Sequence, residues 1–383
     1  MIEDYSFLGA SDREPQTSTW ETEPNTDPGS ANIVFFTTDL SKNALGRTYC
    51  LWQLATSLGW SSVVVSLQGE TIWEPLRNTA FANACLRMTR DEMQHALALF
   101  DADLYIAVKP LEASFGVAME MSALFGIPIL LDVDDPDLDA HLSWARPIRR
   151  MAKQILKPKE LKVAKQLRSA ARRYPTIVSS PTLQSRYSGV VIPHIREDME
   201  AGRPHVTRNA TVAFVGSNRA HKGINLLRQA VSQVQDLHFK LIVTDTPPID
   251  AKPWEEWVGM TSLEQGLEIV SAADIVVIPS LNLPYANGQL PVKLIDAMLL
   301  GRAIAISKVE PMPWALGGHG VVFKPGSARA IEAALRELAN PELRSVLGNS
   351  ARERARNMFL VSTNISRFEF AVRSAIKNST GTS

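Results

Sequence analysis

Short runs of β-forming residues alternate with helical stretches along this chain, and the alternation occurs twice. The first series runs Ile33–Thr37, Ser62–Leu67, Leu104–Val108, Ile129–Val133 and Thr176–Ser179. After Ile192-Pro193-His194 a polar stretch, Arg196–Asn209, interrupts it. The second series then runs Val212–Val215, Phe239–Thr244, Asp274–Pro279, Ala303–Ser307 and Val321–Phe323. Such alternation calls for parallel strands joined by helical crossovers. The expected fold is therefore α/β, with two facing doubly wound, Rossmann-like domains over residues 31–200 and 206–360. Ligands of open α/β sheets sit outside the carboxyl ends of the strands, so the cleft between the domains is the expected site. A last helical pattern, residues 361–378, has no strand partner and is expected to pack back on the first domain.

Composition narrows the class. Of 383 residues 45% are hydrophobic and only two are cysteine, which excludes a disordered chain and a disulfide scaffold. Cys50 and Cys85 read as reduced thiols. The longest apolar runs, such as Ile275–Ile278 and Ile127–Leu131, fall far short of the roughly 18 residues of a membrane span. The opening Met-Ile-Glu-Asp lacks the basic-then-apolar order of a secretory signal, so a cytoplasmic location is expected.

Charge is balanced, 40 basic against 40 acidic residues, but unevenly spread. Residues 1–30 hold seven acids and one base, Arg13, with few apolar positions, and read as a disordered acidic tail. Arg146–Arg173 hold eleven Lys or Arg and one acid, Glu160. Apolar residues at Ile148, Met151, Ile155, Leu161, Ala164 and Leu167 keep helical spacing, with Pro158 separating two helices. A basic amphipathic pair of this kind suits an anionic membrane surface, which Arg149, Arg150, Lys153, Lys162 and Lys165 would face. The competing reading is a pair of core-packing helices with a solvated cationic face. A nucleic-acid partner ranks below both, for the segment has no recognition fold and only Tyr174 as an aromatic.

Two segments carry chemistry. Val215-Gly216-Ser217-Asn218-Arg219-Ala220-His221-Lys222-Gly223 follows a strand and opens a helix, which builds an anion site from free backbone N–H groups, close approach at glycine, and the cations Arg219 and Lys222. A glycine turn with two solvated cations would look the same. Downstream, a strand exits into Pro279–Leu290 and a helix begins near Pro291, placing Lys293 and Asp296 on one face. A cation near phosphate and an acid on ribose hydroxyls fit this pair, as does a plain surface ion pair.

Together, the glycine–Arg219–Lys222–Gly223 turn, Ala272-Ala273-Asp274, Ile278-Pro279-Ser280 and Pro291-x-Lys293-x-x-Asp296-Ala297-Met298-x-x-Gly301 resemble the donor domain of family 4 GT-B glycosyltransferases over about Val212–Phe323. Asp103-Leu104-Tyr105 and Gly126–Asp132 resemble acceptor-domain segments more loosely. The resemblance implies transfer of a sugar from a nucleotide donor such as a UDP- or GDP-sugar to an acceptor, with retained anomeric configuration and no metal; no cofactor is expected, and with the basic segment at a membrane the expected acceptor is lipid-linked or a polysaccharide. It implies that Arg219, Lys222 and Lys293 hold the donor diphosphate, and that Asp296, Gly216, Asn287, Gly288 and Leu290 surround the nucleotide and sugar. Two departures stand out. Ser217 occupies the place where the family commonly has Arg, and Gly288 the place of the first of two acids separated by seven residues. Gly288 leaves open a catalytically silent subunit that binds or regulates a true transferase. A sugar-nucleotide epimerase shares the two-domain cleft.

In the first domain Asn43-Ala44-Leu45-Gly46-Arg47 precedes a helix, and Gly46 is expected to face the donor phosphates. Asp132-Val133-Asp134-Asp135-Pro136-Asp137 ends a strand. Its acids suit a hard cation or, equally, turn and cap duty, and the expectation is no metal. Asp134 is taken as a cleft carboxylate and His141 as a neighbour of the acceptor; these are the catalytic candidates.

Overall fold

The structure, a computed structural model, describes residues 30–138, 158–216, 219–283 and 287–380. Nearly all of the acidic tail, together with His141, Arg149, Arg150 and Lys153, lies outside the described residues.

The first sheet holds β1 (Asn32–Phe36), β2 (Ser61–Ser66), β3 (Cys85–Arg87), β4 (Leu104–Val108), β5 (Ile129–Val133), β6 (Thr176–Val178) and β7 (Val190–Val191) in the order β3-β2-β1-β4-β5-β6-β7. The second holds β8 (Thr211–Phe214), β9 (Lys240–Val243), β10 (Glu255–Trp257), β11 (Ile275–Ile278), β12 (Ala303–Ser307) and β13 (Val321–Phe323) in the order β10-β9-β8-β11-β12-β13. Every pairing is parallel, with Val34 between Val63 and Tyr105, and Val212 between Leu241 and Ile275. Helices cover both faces, so β4, β5, β11 and β12 are buried throughout, and β4 and β11 read as unbroken apolar runs. Strand order reverses at β1/β4 and at β8/β11, which places a crevice at the carboxyl ends of those pairs in each unit. The described residues add three short strands, β3, β7 and β10, to those the sequence indicates.

Six helices matter for the site: α1 (Leu45–Ser57), α2 (Pro158–Ala171), α3 (Ile224–Ser232), α4 (Val292–Leu299), α5 (Pro341–Phe359) and α6 (Val361–Thr380). In α2, Leu161, Ala164 and Leu167 are buried, and the last two join the core of the first unit with Tyr105 and Leu131. That burial uses up the apolar stripe. Lys162 and Lys165 are exposed on the other side, so α2 offers a membrane only charge and no apolar face.

The chain crosses between the units twice, after β7 and between α5 and α6. The two crossings lie side by side: Arg196 N donates to Phe359 O at 2.8 Å, and Val361 N donates to Arg196 O at 3.1 Å. Beyond them α6 lies on the first unit, where Phe368 and Val372 are fully buried with Ile33 and Leu51, and the Phe368 ring stands 5.9 Å from Trp60. Each such buried side chain contributes roughly 1.5–3 kcal/mol.

Candidate active site

In the second unit the site begins where β8 ends. Gly216, at φ +119°, donates its N–H to Thr244 Oγ1 at 2.7 Å. A 3₁₀ turn, Ala220–Lys222, follows with exposed Arg219 at its start, and Gly223 at φ +68° opens α3. A Cβ on Gly223 would stand 2.1 Å from the Pro279 carbonyl oxygen, so only glycine lets this turn press against the end of β11. Leu281 N donates to His221 O at 2.8 Å and stitches the two loops together.

This stitching sets Lys222 beside Lys293. A Cβ built on Gly216 would lie 3.4 Å from each of the two Nζ atoms. Lys293 Nζ donates to Val215 O at 2.8 Å and sits 4.5 Å over the Phe214 ring. Burial pushes the Lys293 amine down to about 7, and Lys222 pushes the same way. Lys222 is itself lowered by burial and by Arg219, with Asp245 opposing. Two lysines thus converge on a glycine at a strand end, Lys222 lowering Lys293 and Arg219 lowering Lys222, an arrangement that suits a bound anion.

Asp296, one turn along α4, is buried and receives Arg196 Nε on Oδ1 at 2.7 Å. Burial raises its titration and Arg196 opposes that rise. Pro291 stands at the N-cap in extended conformation, one residue before the helical position expected for it. Gly288 adopts φ +115°, donates to Glu310 O at 3.0 Å, and faces the first unit: a Cβ there would meet Leu183 Cδ2 at 3.3 Å and Arg186 Nη1 at 3.7 Å. Beside it, Asn287 Oδ1 is buried with no hydrogen-bond partner among the described residues. Leu290 is core, 1% exposed, and packs with Leu294 and Ile306 rather than offering a contact surface.

In the first unit a buried charge network occupies the carboxyl ends of β4 and β5. Arg47, on the buried face of α1, grips Asp132 through Nε and Nη2, with 2.7 Å from Nη2 to Oδ1, and donates to the Pro193 and Ile192 carbonyls at 2.9 Å each. Lys109, a non-glycine residue at φ +75°, places Nζ 2.8 Å from Asp134, 3.0 Å from Asp135 and 2.9 Å from Asp137. Burial works against the Asp134 carboxylate, but Lys109, with Arg47 behind it, outweighs it and holds its titration low. His194 Nε2 lies 3.9 Å from Asp134 Oδ2, and burial with Arg47 nearby drives the ring down to about 3, so it is neutral.

Asp134 is therefore the counter-ion of Lys109 and 3% exposed, not an open carboxylate. Asp134, Asp135 and Asp137 lie close enough together to hold a metal ion. They do not fit one, because an ammonium already stands at their centre. Gly46 is the second residue of α1, and a Cβ there would touch the Trp73 ring at 3.3 Å, so close packing against Trp73 accounts for the glycine. Sequence reasoning passed over Arg47, Lys109, His194 and Arg196. A signal existed for the first: Arg47 falls in the apolar helical stripe with Cys50, Leu51 and Leu54.

Residues 209–340, which span all six strands of the second sheet, match the family model described as glycosyl transferases group 1. No curated protein matches the chain. Among solved structures, sucrose-phosphate synthase from Thermosynechococcus elongatus is similar with a TM-score of 0.61 at 15% identity, over 92% of this chain and 100% of that one. The Anabaena protein HepE, in complex with UDP and glucose, gives 0.69 at 15% over 90% and 100%. A mutant of TarM from S. aureus, in complex with Fondaparinux, alpha-GlcNAc-glycerol and UDP, gives 0.54 at 13% over 70% and 55%. The chain has the GT-B glycosyltransferase fold. Within it, the second unit is the part that matches the group 1 glycosyl transferases. No described helix is long and apolar enough to cross a membrane.

Proposed function

We propose that the protein is a glycosyltransferase that moves a sugar from a nucleoside-diphosphate donor to a lipid-linked or glycan acceptor, with retained configuration and without a metal. One observation carries the reading: Lys222 and Lys293 converge on Gly216 at the end of β8, each 3.4 Å from its would-be Cβ. A diphosphate bound there would offset the repulsion that Lys222 exerts on Lys293, and the N–H groups at the start of α3 would add to the field. Both the HepE and the TarM structures named above contain UDP, which supports a diphosphate as the anion.

In this reading the bond from the sugar's anomeric carbon to the diphosphate oxygen breaks, and the diphosphate leaves with the electron pair. Lys222, Lys293 and Arg219 neutralise the charge that builds on it. The acceptor hydroxyl approaches from the face that the diphosphate leaves, forms the new glycosidic bond and passes its proton to the departing diphosphate oxygen. Asn287 Oδ1 takes a hydroxyl of the donor, and Asp296 takes the ribose on the oxygen that Arg196 does not hold. The exposed lysines of α2 fit an anionic membrane through charge alone, in line with a protein at the cytoplasmic face of a membrane.

The test is a thermal-shift series with UDP-, GDP-, ADP- and dTDP-sugars. A ligand at 100 times its dissociation constant adds about 2.7 kcal/mol of stability. A shift with one nucleotide class that disappears in Lys222→Ala supports the donor site, whereas no shift with any of them removes it.

A further inference from the structure

The loop that leads into α4 is fastened to the end of β12. Ser307, the last residue of that strand, donates Oγ to Ser280 O at 2.7 Å, and Gly288 N donates to Glu310 O at 3.0 Å. Val309 and Met312, on either side of Glu310, are buried, and Met312 N donates to Val309 O at 3.1 Å. The backbone of Glu310 is thereby fixed beside Gly288. Its side chain is exposed, and its carboxylate makes no hydrogen bond or ion pair among the described residues.

The other acids around the crevice of the second unit are engaged. Asp296 holds Arg196, Asp250 accepts from Arg228 Nη1 at 3.1 Å, and Asp245 accepts from Thr246 N at 2.7 Å and acts on Lys222. Residues 215–223, 279–291 and 324–327, which follow β8, β11 and β13, include no acid. A sugar held by its diphosphate at Lys222 and Lys293 needs acceptors for its hydroxyls, and a carboxylate, whose two oxygens only accept, makes the strongest such bonds. Gly288 has no side chain to supply one. Glu310 has, from the adjoining strand end. Position supplies the second argument. Ser180 Oγ of the first unit lies 3.5 Å from Gly288 O, so this corner of the crevice is where the units meet, as the place of a sugar passing from donor to acceptor requires. The diphosphate itself repels a carboxylate, which leaves the sugar as the part of the donor that Glu310 can hold.

We infer that Glu310 accepts the hydroxyls of the donor sugar and stands in, from a different strand, for the side chain that Gly288 lacks. The inference rests on the sugar-transfer reading above and names a sugar ligand within that same site. Its charge also opposes the positive charge that builds at the anomeric carbon as the diphosphate leaves.

The experiment is calorimetry of the full chain with matched probes, each of UDP, GDP, ADP and dTDP beside its own nucleotide sugar. The pair that binds tightest is then measured on wild type, Glu310→Ala and Glu310→Gln. Both variants should melt like the wild type and bind the bare diphosphate unchanged, because the side chain is exposed and bonds nothing in the fold. Glu310→Ala should bind the nucleotide sugar at least about tenfold more weakly, as expected for the loss of one charge-assisted bond, and Glu310→Gln should fall between the two. Among monodeoxy forms of that donor, the one lacking the contacted hydroxyl should bind the wild type about tenfold more weakly than the full donor, whereas Glu310→Ala should not tell the two apart. Equal affinity of wild type and Glu310→Ala for the nucleotide sugar, or an equal loss for the bare diphosphate, overturns the inference and leaves the transferase reading standing. No binding of any diphosphate or nucleotide sugar would remove the transferase reading, and the inference with it.

Discussion

Arg196 Nε meets Asp296 Oδ1 at 2.7 Å, across 100 residues of sequence, and so fastens helix α4 to the segment where the chain passes between its two units. The backbone of Arg196 is held on both sides by Phe359 and Val361, at the second crossing. The carboxylate read as a ribose ligand is thus also a structural tie.

Asp296→Ala is accordingly expected to lower stability as well as donor affinity. Removal of one partner from a buried pair costs about 3–5 kcal/mol, and the 24% exposure of the Arg196 side chain places this pair toward or below the lower end. Arg196→Gln combined with Asp296→Asn should recover much of the melting temperature and leave nucleotide binding weak. An Asp296→Ala protein that melts like the wild type would remove the tie.

Gly288 occupies the place where the resembling family has an acid, and the backbone explains why an acid cannot simply be put back. At φ +115° an L side chain is strained by about 1–3 kcal/mol, and its Cβ would press on Leu183. Gly288→Glu should therefore lower the melting temperature without raising UDP-glucose turnover. A rise in turnover on restoring the acid would mark the glycine as a lesion in an inherited site.

The pattern of the sequence disclosed what depends on local order. Strands buried on both faces, such as Ile275–Ile278, appear as apolar runs, and the Gly216–Gly223 turn carries its own punctuation. Glu255–Trp257, Cys85–Arg87 and Val190–Val191 stayed hidden because short edge strands are partly exposed and have no apolar run to show. The ion pairs stayed hidden for another reason. Arg47 and Asp132 are 85 residues apart, and Asp132 reads as an interruption of an apolar strand until the fold supplies its partner. A shorter separation, 26 residues from Lys109 to Asp135 and 28 to Asp137, likewise concealed that these acids share an ammonium with Asp134.

That ammonium makes a claim about metals testable. With Lys109 in place, the three carboxylates already have their cation, and turnover should persist in excess chelator. Lys109→Met leaves three carboxylate oxygens within 4.8 Å of one another, a set suited to a hard cation. The variant should melt lower than the wild type and regain stability when Ca²⁺ is added, while the wild type ignores the ion. A wild-type melting temperature that climbs with Ca²⁺ as steeply as the variant's would show that Lys109 does not fill the site.

Lys293 gives the pH dependence. Its amine titrates at about 7 in the folded protein against an ordinary 10.5, so the unfolded chain holds this proton more tightly. The resulting penalty on folding is absent above pH 10.5 and complete below about 7, and stability gained from this group rises with pH between the two. A diphosphate beside Nζ favours the ammonium and lifts its pKa back toward the ordinary value. Donor binding at a pH of about 8.5 must then take up close to one proton, whereas at about pH 6 the amine is already charged and uptake should vanish. Affinity should be level below neutrality and fall toward roughly tenfold per pH unit above it. Calorimetry of UDP-sugar binding in two buffers of different ionisation enthalpy measures the uptake directly. Lys293→Arg, charged at both pH values, should bind without it. Binding at alkaline pH with no proton taken up would separate Lys293 from the diphosphate and leave Lys222 and Arg219 to hold it.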